Sequence, residues 1–191
     1  MPKDFGSRGL TPNGCSWYRA QPALHLFSEE EVELIRLAGL ALALGHLGVP
    51  RDTDTLQGRV RLQKSIFLAQ QAGVNLDYRF GWYLRGPYSP ALTRDYFALS
   101  TSTAEDSITG YRLTDEARDS LDALMPLFTV PAGVNLRQDQ WLELAASWLY
   151  LKQVSRLSDE KARSLIQKQK ANLVPYLGRA RQALSSVGLA A

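Results

Sequence analysis

The chain has 191 residues, 45% hydrophobic and 21% charged, which is the usage of one ordinary folded domain with or without a helical extension and excludes wholesale disorder. Twenty-two Lys and Arg against 19 Asp and Glu give a net charge of +3 and a pI of about 9.1, far from a histone-like excess. A single cysteine, Cys15, excludes an intrachain disulfide and a multi-thiolate zinc site, and His25 and His46 stand in no metal-ligand spacing.

Residues 1–27 are rich in Gly, Pro, Ser and Asn and are expected to form a loosely ordered arm, with Trp17, Tyr18, Leu24, Leu26 and Phe27 available to dock it. Lys3, Asp4 and Arg8 are followed by polar and turn residues, so no secretory signal is expected. Ser28-Glu29-Glu30-Glu31 is a capping box that starts a helix through about Leu47, with Gly48 ending it and Pro50 beyond. The charge-free stretch from Leu37 to Pro50 is too short to span a bilayer and reads as a buried helix, so the expectation is a cytoplasmic protein with no membrane partner.

After a polar connection at Asp52–Gly58, Arg59–Ala72 reads as a second helix, with Leu62, Ile66 and Ala69 on one face. Tyr78–Leu84 is aromatic and predicts a strand, and Arg85-Gly86-Pro87-Tyr88 predicts a turn. Ser89 caps a third helix with Pro90 at its first position, running to about Leu99. Ile108–Leu113 predicts a second short strand, and Thr114 caps a fourth helix with Asp115 and Glu116 in its first turn. Pro131 and Gly133 mark a linker near 131–136, and three further helices are expected at about 138–156, 158–173 and 175–187. Ala-Gly-Val-Asn-Leu occurs at 72–76 and at 132–136, which shared helix-exit chemistry explains better than an internal repeat.

This order is that of a mainly helical α+β protein: a winged-helix-like domain with a small β-hairpin at 28–130, then a C-terminal helical extension at 137–191 that packs on it or mediates homo-oligomer assembly. The segment Gly110-Tyr111-Arg112-Leu113-Thr114 is similar to the strand-into-helix phrase of many winged-helix proteins. A more specific phrase runs Arg61-Leu62-Gln63-Lys64-Ser65-Ile66-Phe67-Leu68, then Tyr78-x-Phe80, then Tyr83-x-Arg85-Gly86-Pro87-Tyr88-Ser89-x-x-Leu92. It resembles the YwgA-like family of prokaryotic proteins and, more distantly, the Panacea (SocA-like) antitoxin domain, over roughly residues 55–128. Arg85 stands where those relatives carry an aromatic or polar residue, which adds a cation. The resemblance implies a defence, mobile-element or toxin–antitoxin setting. Its Panacea-like branch implies direct binding of a toxin protein, in one case as a proteolytic adaptor. Neither branch implies a catalytic centre or a cofactor.

The basic excess is concentrated in two segments. Arg59–Tyr96 holds six cations (Arg59, Arg61, Lys64, Arg79, Arg85, Arg94) against Asp77 and Asp95, and residues 137–191 hold nine against four acids. The first coincides with the helix–turn–helix region, so the expectation leans toward nucleic-acid binding, with Arg59, Arg61, Lys64, Arg85 and Arg94 on phosphates. The alternative is recognition of a toxin or effector protein through Trp82, Tyr83, Pro87 and Tyr88, together with the C-terminal helices. Each candidate also has a structural reading. Ser89 and Pro90 suffice to start a helix, Lys64 can snorkel past Leu68 or bond to carbonyls of the Gly86 turn, and the aromatic cluster Tyr78, Trp82, Tyr83, Tyr88 can be core rather than a stacking platform. Lys161, Arg163, Lys168, Lys170, Arg179 and Arg181 can track a duplex or form a solvated face. No phosphate-cradling glycine motif exists, and His46, Cys15 and the acids Asp52, Asp54 and Asp77 stand in no spacing that demands catalysis or a metal, so no enzyme, metal or cofactor is expected.

Overall fold

The computed structural model describes residues 17–19, 28–101 and 110–189. Cys15, His25 and most of the expected N-terminal arm therefore lie outside the described residues. Within them, helix α1 spans Glu29–His46 and begins with the expected capping box: Ser28 Oγ accepts from the Glu31 amide at 3.2 Å, and the Ser28 amide donates to Glu31 Oε2 at 2.9 Å. Its first turns are exposed at Val32 and Leu34, and it becomes core from Ala38 to Leu44.

Helix α2, Leu56–Gln71, starts three residues ahead of Arg59, where the polar connection was expected to end. Thr55 is its cap, its Oγ1 accepting from the Gly58 amide at 2.9 Å. The Asp52 carboxylate accepts from Thr55 Oγ1 at 2.5 Å and from the Thr55 and Asp54 amides, which holds its pKa below the usual carboxylate value. Gly58 is no helix breaker here. A Cβ at that position would run into the backbone and carboxylate of Asp52, so glycine lets the loop close against the helix.

Strands β2 (Gly81–Tyr83) and β3 (Gly86–Tyr88) form an antiparallel hairpin, with Trp82 opposite Pro87. This corrects the reading of 85–88 as a turn: the turn residues are Leu84 and Arg85, and Gly86-Pro87-Tyr88 is the returning strand. Proline is tolerated because the hairpin is only two strands wide and needs no donor on its outer edge. Helix α3, Pro90–Thr101, follows at once, Ser89 Oγ accepting from the Leu92 amide at 3.3 Å. Strand β4, Tyr111–Leu113, pairs antiparallel with β1, Trp17–Arg19, rather than with the hairpin. Helix α4 spans Asp115–Leu124 under the expected Thr114 cap and runs into a 3-10 turn at Met125–Phe128.

Helix α5, Gln138–Leu149, continues as a π-helical turn, Tyr150–Val154. Helix α6, Asp159–Gln169, a 3-10 segment, Ala171–Tyr176, and helix α7, Leu177–Ser186, complete the described chain. The architecture is mainly helical α+β with two separate two-stranded sheets. Its centre is α5, which packs against α2, α7 and β3 and buries Trp141 and Trp148 completely. One hydrophobic cluster runs from α1 through α7, so residues 131–136 connect parts of a single core. The apolar face of α7 (Leu177, Ala180, Leu184) is spent within the molecule. The two Ala-Gly-Val-Asn-Leu copies differ in role: the first closes α2, the Val74 amide donating to the Ala69 carbonyl, whereas the second is a turn in which the Val134 amide donates to Pro131. No helix of the described residues is long and apolar enough to cross a membrane.

Candidate binding groove

The site begins with two adjacent polar residues in the buried middle of α2. Gln63 reads the backbone of Ser89 on both sides: its Nε2 donates to the Ser89 carbonyl, and its Oε1 accepts from the Ser89 amide, each at 2.9 Å. Lys64, 2% exposed, donates from Nζ to the Pro87 carbonyl at 2.6 Å. Gly86 presses on α5, where a Cβ would collide with Ser147 Oγ, and its φ of +82° lies in the region that other residues rarely adopt. Leu-Gln-Lys and Gly-Pro-Tyr-Ser thus form two halves of one clamp that fixes the hairpin to α2 and α5.

Beneath the clamp lies an unusual concentration of positive charge. Glu143 on α5, 4% exposed, accepts from Lys170 Nζ at 2.6 Å on Oε1 and from Arg85 Nη1 at 3.2 Å on Oε2. Lys170 is also buried and donates to the Leu84 carbonyl at 2.9 Å. Lys170 and Arg85 thus share one carboxylate, and Lys64 lies within its field. Burial is the main force lowering the Lys64 pKa, to about 7; Glu143 opposes the shift, and Lys170 and Arg85 add to it.

The outer side of the hairpin, the α2 N-terminal half and α3 enclose an open groove of about 510 Å³. Its walls are Leu56, Arg59 and Val60 from α2, Tyr83, Leu84, Arg85 and Tyr88 from the hairpin, and Thr93, Tyr96 and Phe97 from α3, with Gln63, Lys64 and Gly86 beneath. Leu84 is 75% exposed and Tyr83 59%, and Leu56 and Phe97 are exposed beside them. The Tyr83 and Tyr88 rings pack at 5.5 Å. A larger cavity of about 690 Å³ lies between α1, β4 and α4, but its walls carry charges of both signs, among them Arg112, Arg118, Asp115 and Glu116.

The five cations expected on phosphates do not form one surface. Arg59, Lys64 and Arg85 line the groove. Arg61 turns to Asp52 at 3.5 Å, and Arg94 to Asp95 at 3.3 Å, both outside it. Arg59 is itself held by the carbonyls of Thr53 at 2.7 Å and Asp54 at 3.0 Å. Lys64 is buried, which corrects its expected role on a phosphate: its ammonium serves the hairpin backbone.

Of the four expected partner-binding residues, Tyr83 and Tyr88 line the groove. Trp82 faces away, stacked 5.8 Å from Tyr150 with Nε1 donating to Gln169 Oε1 at 3.2 Å, and Pro87 is buried under the clamp. Tyr78 is core, its hydroxyl donating to Asp95 at 2.9 Å. Two of the C-terminal cations are also structural: Lys170 on Glu143, and Arg181, whose guanidinium lies 4.6 Å from the Trp148 ring centroid and donates to Asp159 at 2.8 Å. His46 is half-buried rather than core, its Nε2 2.7 Å from Asp122. Among the described residues no group of three His, Cys, Asp or Glu gathers as a metal site.

Sequence reasoning missed Glu143, Leu56, Leu84 and Phe97. Glu143 had a signal: it is the lone charge between Trp141 and Leu151, in a helix otherwise apolar enough to be buried. The three apolar groove residues had none, because scattered exposed apolar residues are ordinary and only the fold brings these together. Compared with known protein families, characterised proteins and solved structures, the chain matches none.

Proposed function

We propose that this protein is a non-catalytic recognition module whose groove between α2, the β2–β3 hairpin and α3 receives a segment of a partner protein. The observation that carries the reading is the clustering of Leu56, Tyr83, Leu84 and Phe97, all exposed, around one concave surface. An exposed apolar patch of this kind beside a rigid clamp is the usual build of a protein-binding site. The phosphate-tracking alternative has less support, since two of its five cations lie elsewhere and a third is buried. The resemblance to Panacea-like antitoxins favours the same direction and makes a toxin or effector protein the partner class.

The test is selection from a library of short random peptides with the full chain as bait, beside the Leu84→Asp variant. Wild type is expected to enrich apolar segments that the variant does not retain. Labelled duplex and single-stranded DNA are titrated in parallel at two salt concentrations. Salt-steep DNA binding that an Arg59/Arg61/Arg85→Ala variant loses, with no peptide enriched, would sink the proposal in favour of nucleic acid.

A further inference from the structure

The chemistry of the groove narrows the kind of segment it takes. Among the described residues, its walls carry Arg59, Lys64 and Arg85 and no carboxylate. Glu143 lies behind the hairpin with both oxygens already taken, by Lys170 and Arg85. Arg59 is met only by neutral carbonyls, which satisfy its donors without cancelling its charge. Lys64 is buried with a single acceptor, the Pro87 carbonyl, although an ammonium carries three donors. Arg85 is half exposed, and one of its five donors is engaged, on Glu143. A cationic floor under apolar walls is complementary to an apolar segment that brings its own anion.

Resting on the groove reading above, we infer that the partner segment carries a carboxylate that seats on Arg85 over Lys64, flanked by apolar side chains against Tyr83, Leu84 and Phe97. The guanidinium fork supplies paired donors for a carboxylate, and the buried ammonium beneath adds its field in a poorly hydrated site. The incoming carboxylate also supplies the counter-charge that the three-cation cluster lacks.

The charged groups facing Lys64 are Glu143 on α5, Lys170 ahead of the last 3-10 segment and Arg85 on the hairpin turn, with Arg59 on its own helix. A bound carboxylate favours the charged ammonium. Affinity is therefore full between about pH 5 and 7, where the ligand carboxylate is ionised and Lys64 is already protonated in the free protein, and weakens as pH rises and a proton must be taken up with the ligand.

The probes are the peptides enriched on the full chain, each made again with its Asp or Glu replaced by Asn or Gln. Three outcomes are distinguishable. Binding to wild type that falls about ten- to a hundredfold on the acid-to-amide change supports the inference, together with weakening by up to about tenfold per pH unit above 7. Arg85→Gln is then expected to erase the difference between acid and amide peptides; it is the variant of choice because Arg85 is half exposed and Lys170 still holds Glu143 without it. Groove-dependent peptides that bind equally well as amides would overturn the carboxylate seat and leave the groove reading standing. Peptides whose binding ignores Leu84→Asp would overturn the groove reading itself. Because the acid-to-amide change is made in the peptide, the first comparison does not depend on any variant folding.

Discussion

Two of the buried carboxylates, Asp95 and Glu143, each gather several cations, and they are built differently. Asp95 on α3 accepts from Arg36 Nε at 2.5 Å, Tyr78 Oη at 2.9 Å and Arg94 Nε at 3.3 Å. Both of its arginines reach solvent, so the excess positive charge is dispersed into water. Glu143 on α5 sits among Lys170, Arg85 and Lys64, and the two lysines are sealed in the interior. The Asp95 centre is closed and ties α1, α3 and the chain at Tyr78 together. The Glu143 centre is electrostatically incomplete and underlies the groove. The contrast lies in where the cations sit: both arginines on Asp95 reach solvent, whereas two of the three cations around Glu143 are buried lysines.

The largest test of that contrast is Glu143→Gln. It leaves two buried ammonium groups with no carboxylate and is expected to cost about 3–5 kcal/mol in urea unfolding, as removal of one partner of a buried pair does. Asp95→Asn, whose arginines can turn to water, is expected to cost less, about 2 kcal/mol. The reverse order would break the comparison.

Next comes pH. Between about pH 7 and the ordinary lysine value of 10.5, the unfolded chain holds a proton at position 64 that the folded chain releases. Stability therefore rises with pH across that window, by up to about 1.4 kcal/mol per unit from this group, and the full penalty is present below it. Unfolding curves between pH 7 and 9 are expected to show that slope in wild type and a flatter one in Lys64→Met.

Gly86→Ala is expected to cost about 2–3 kcal/mol, from the collision with Ser147 and the φ of +82° together. Placing it on a Ser147→Ala background removes the collision and should leave about 1 kcal/mol of backbone strain. Ser147 Oγ makes no hydrogen bond, so Ser147→Ala alone should be nearly neutral. The smallest effect on folding is expected for Leu84→Ser, within about 0.5 kcal/mol by thermal melting, because the side chain is exposed. The same change should abolish peptide capture, which separates the surface from the scaffold.

Much of the helical framework was legible because helix starts are local. Ser28, Thr114 and Ser158 each accept an amide three residues on, as their spacing to the following acids suggests. Thr55 is followed by no acid in its first turn, and only the approach of Asp52 shows why glycine belongs inside that turn. The hairpin departs from the sequence pattern by a few residues for a related reason: Gly-Pro normally signals a turn, whereas here Gly86 and Pro87 form a strand held by Lys64 from across the core.

By itself, then, the sequence determined most of the helices, the caps at Ser28, Ser89 and Thr114, and the mainly helical α+β class. Each of these depends on spacing along the chain. Tertiary structure alone decided which cations are free, which are buried and which apolar residues share a surface. Lys170 meets Glu143 from 27 residues away and the Leu84 carbonyl from 86. The charge state of Lys64 follows from those distances and from the exclusion of water around it, quantities that no local pattern of residues encodes.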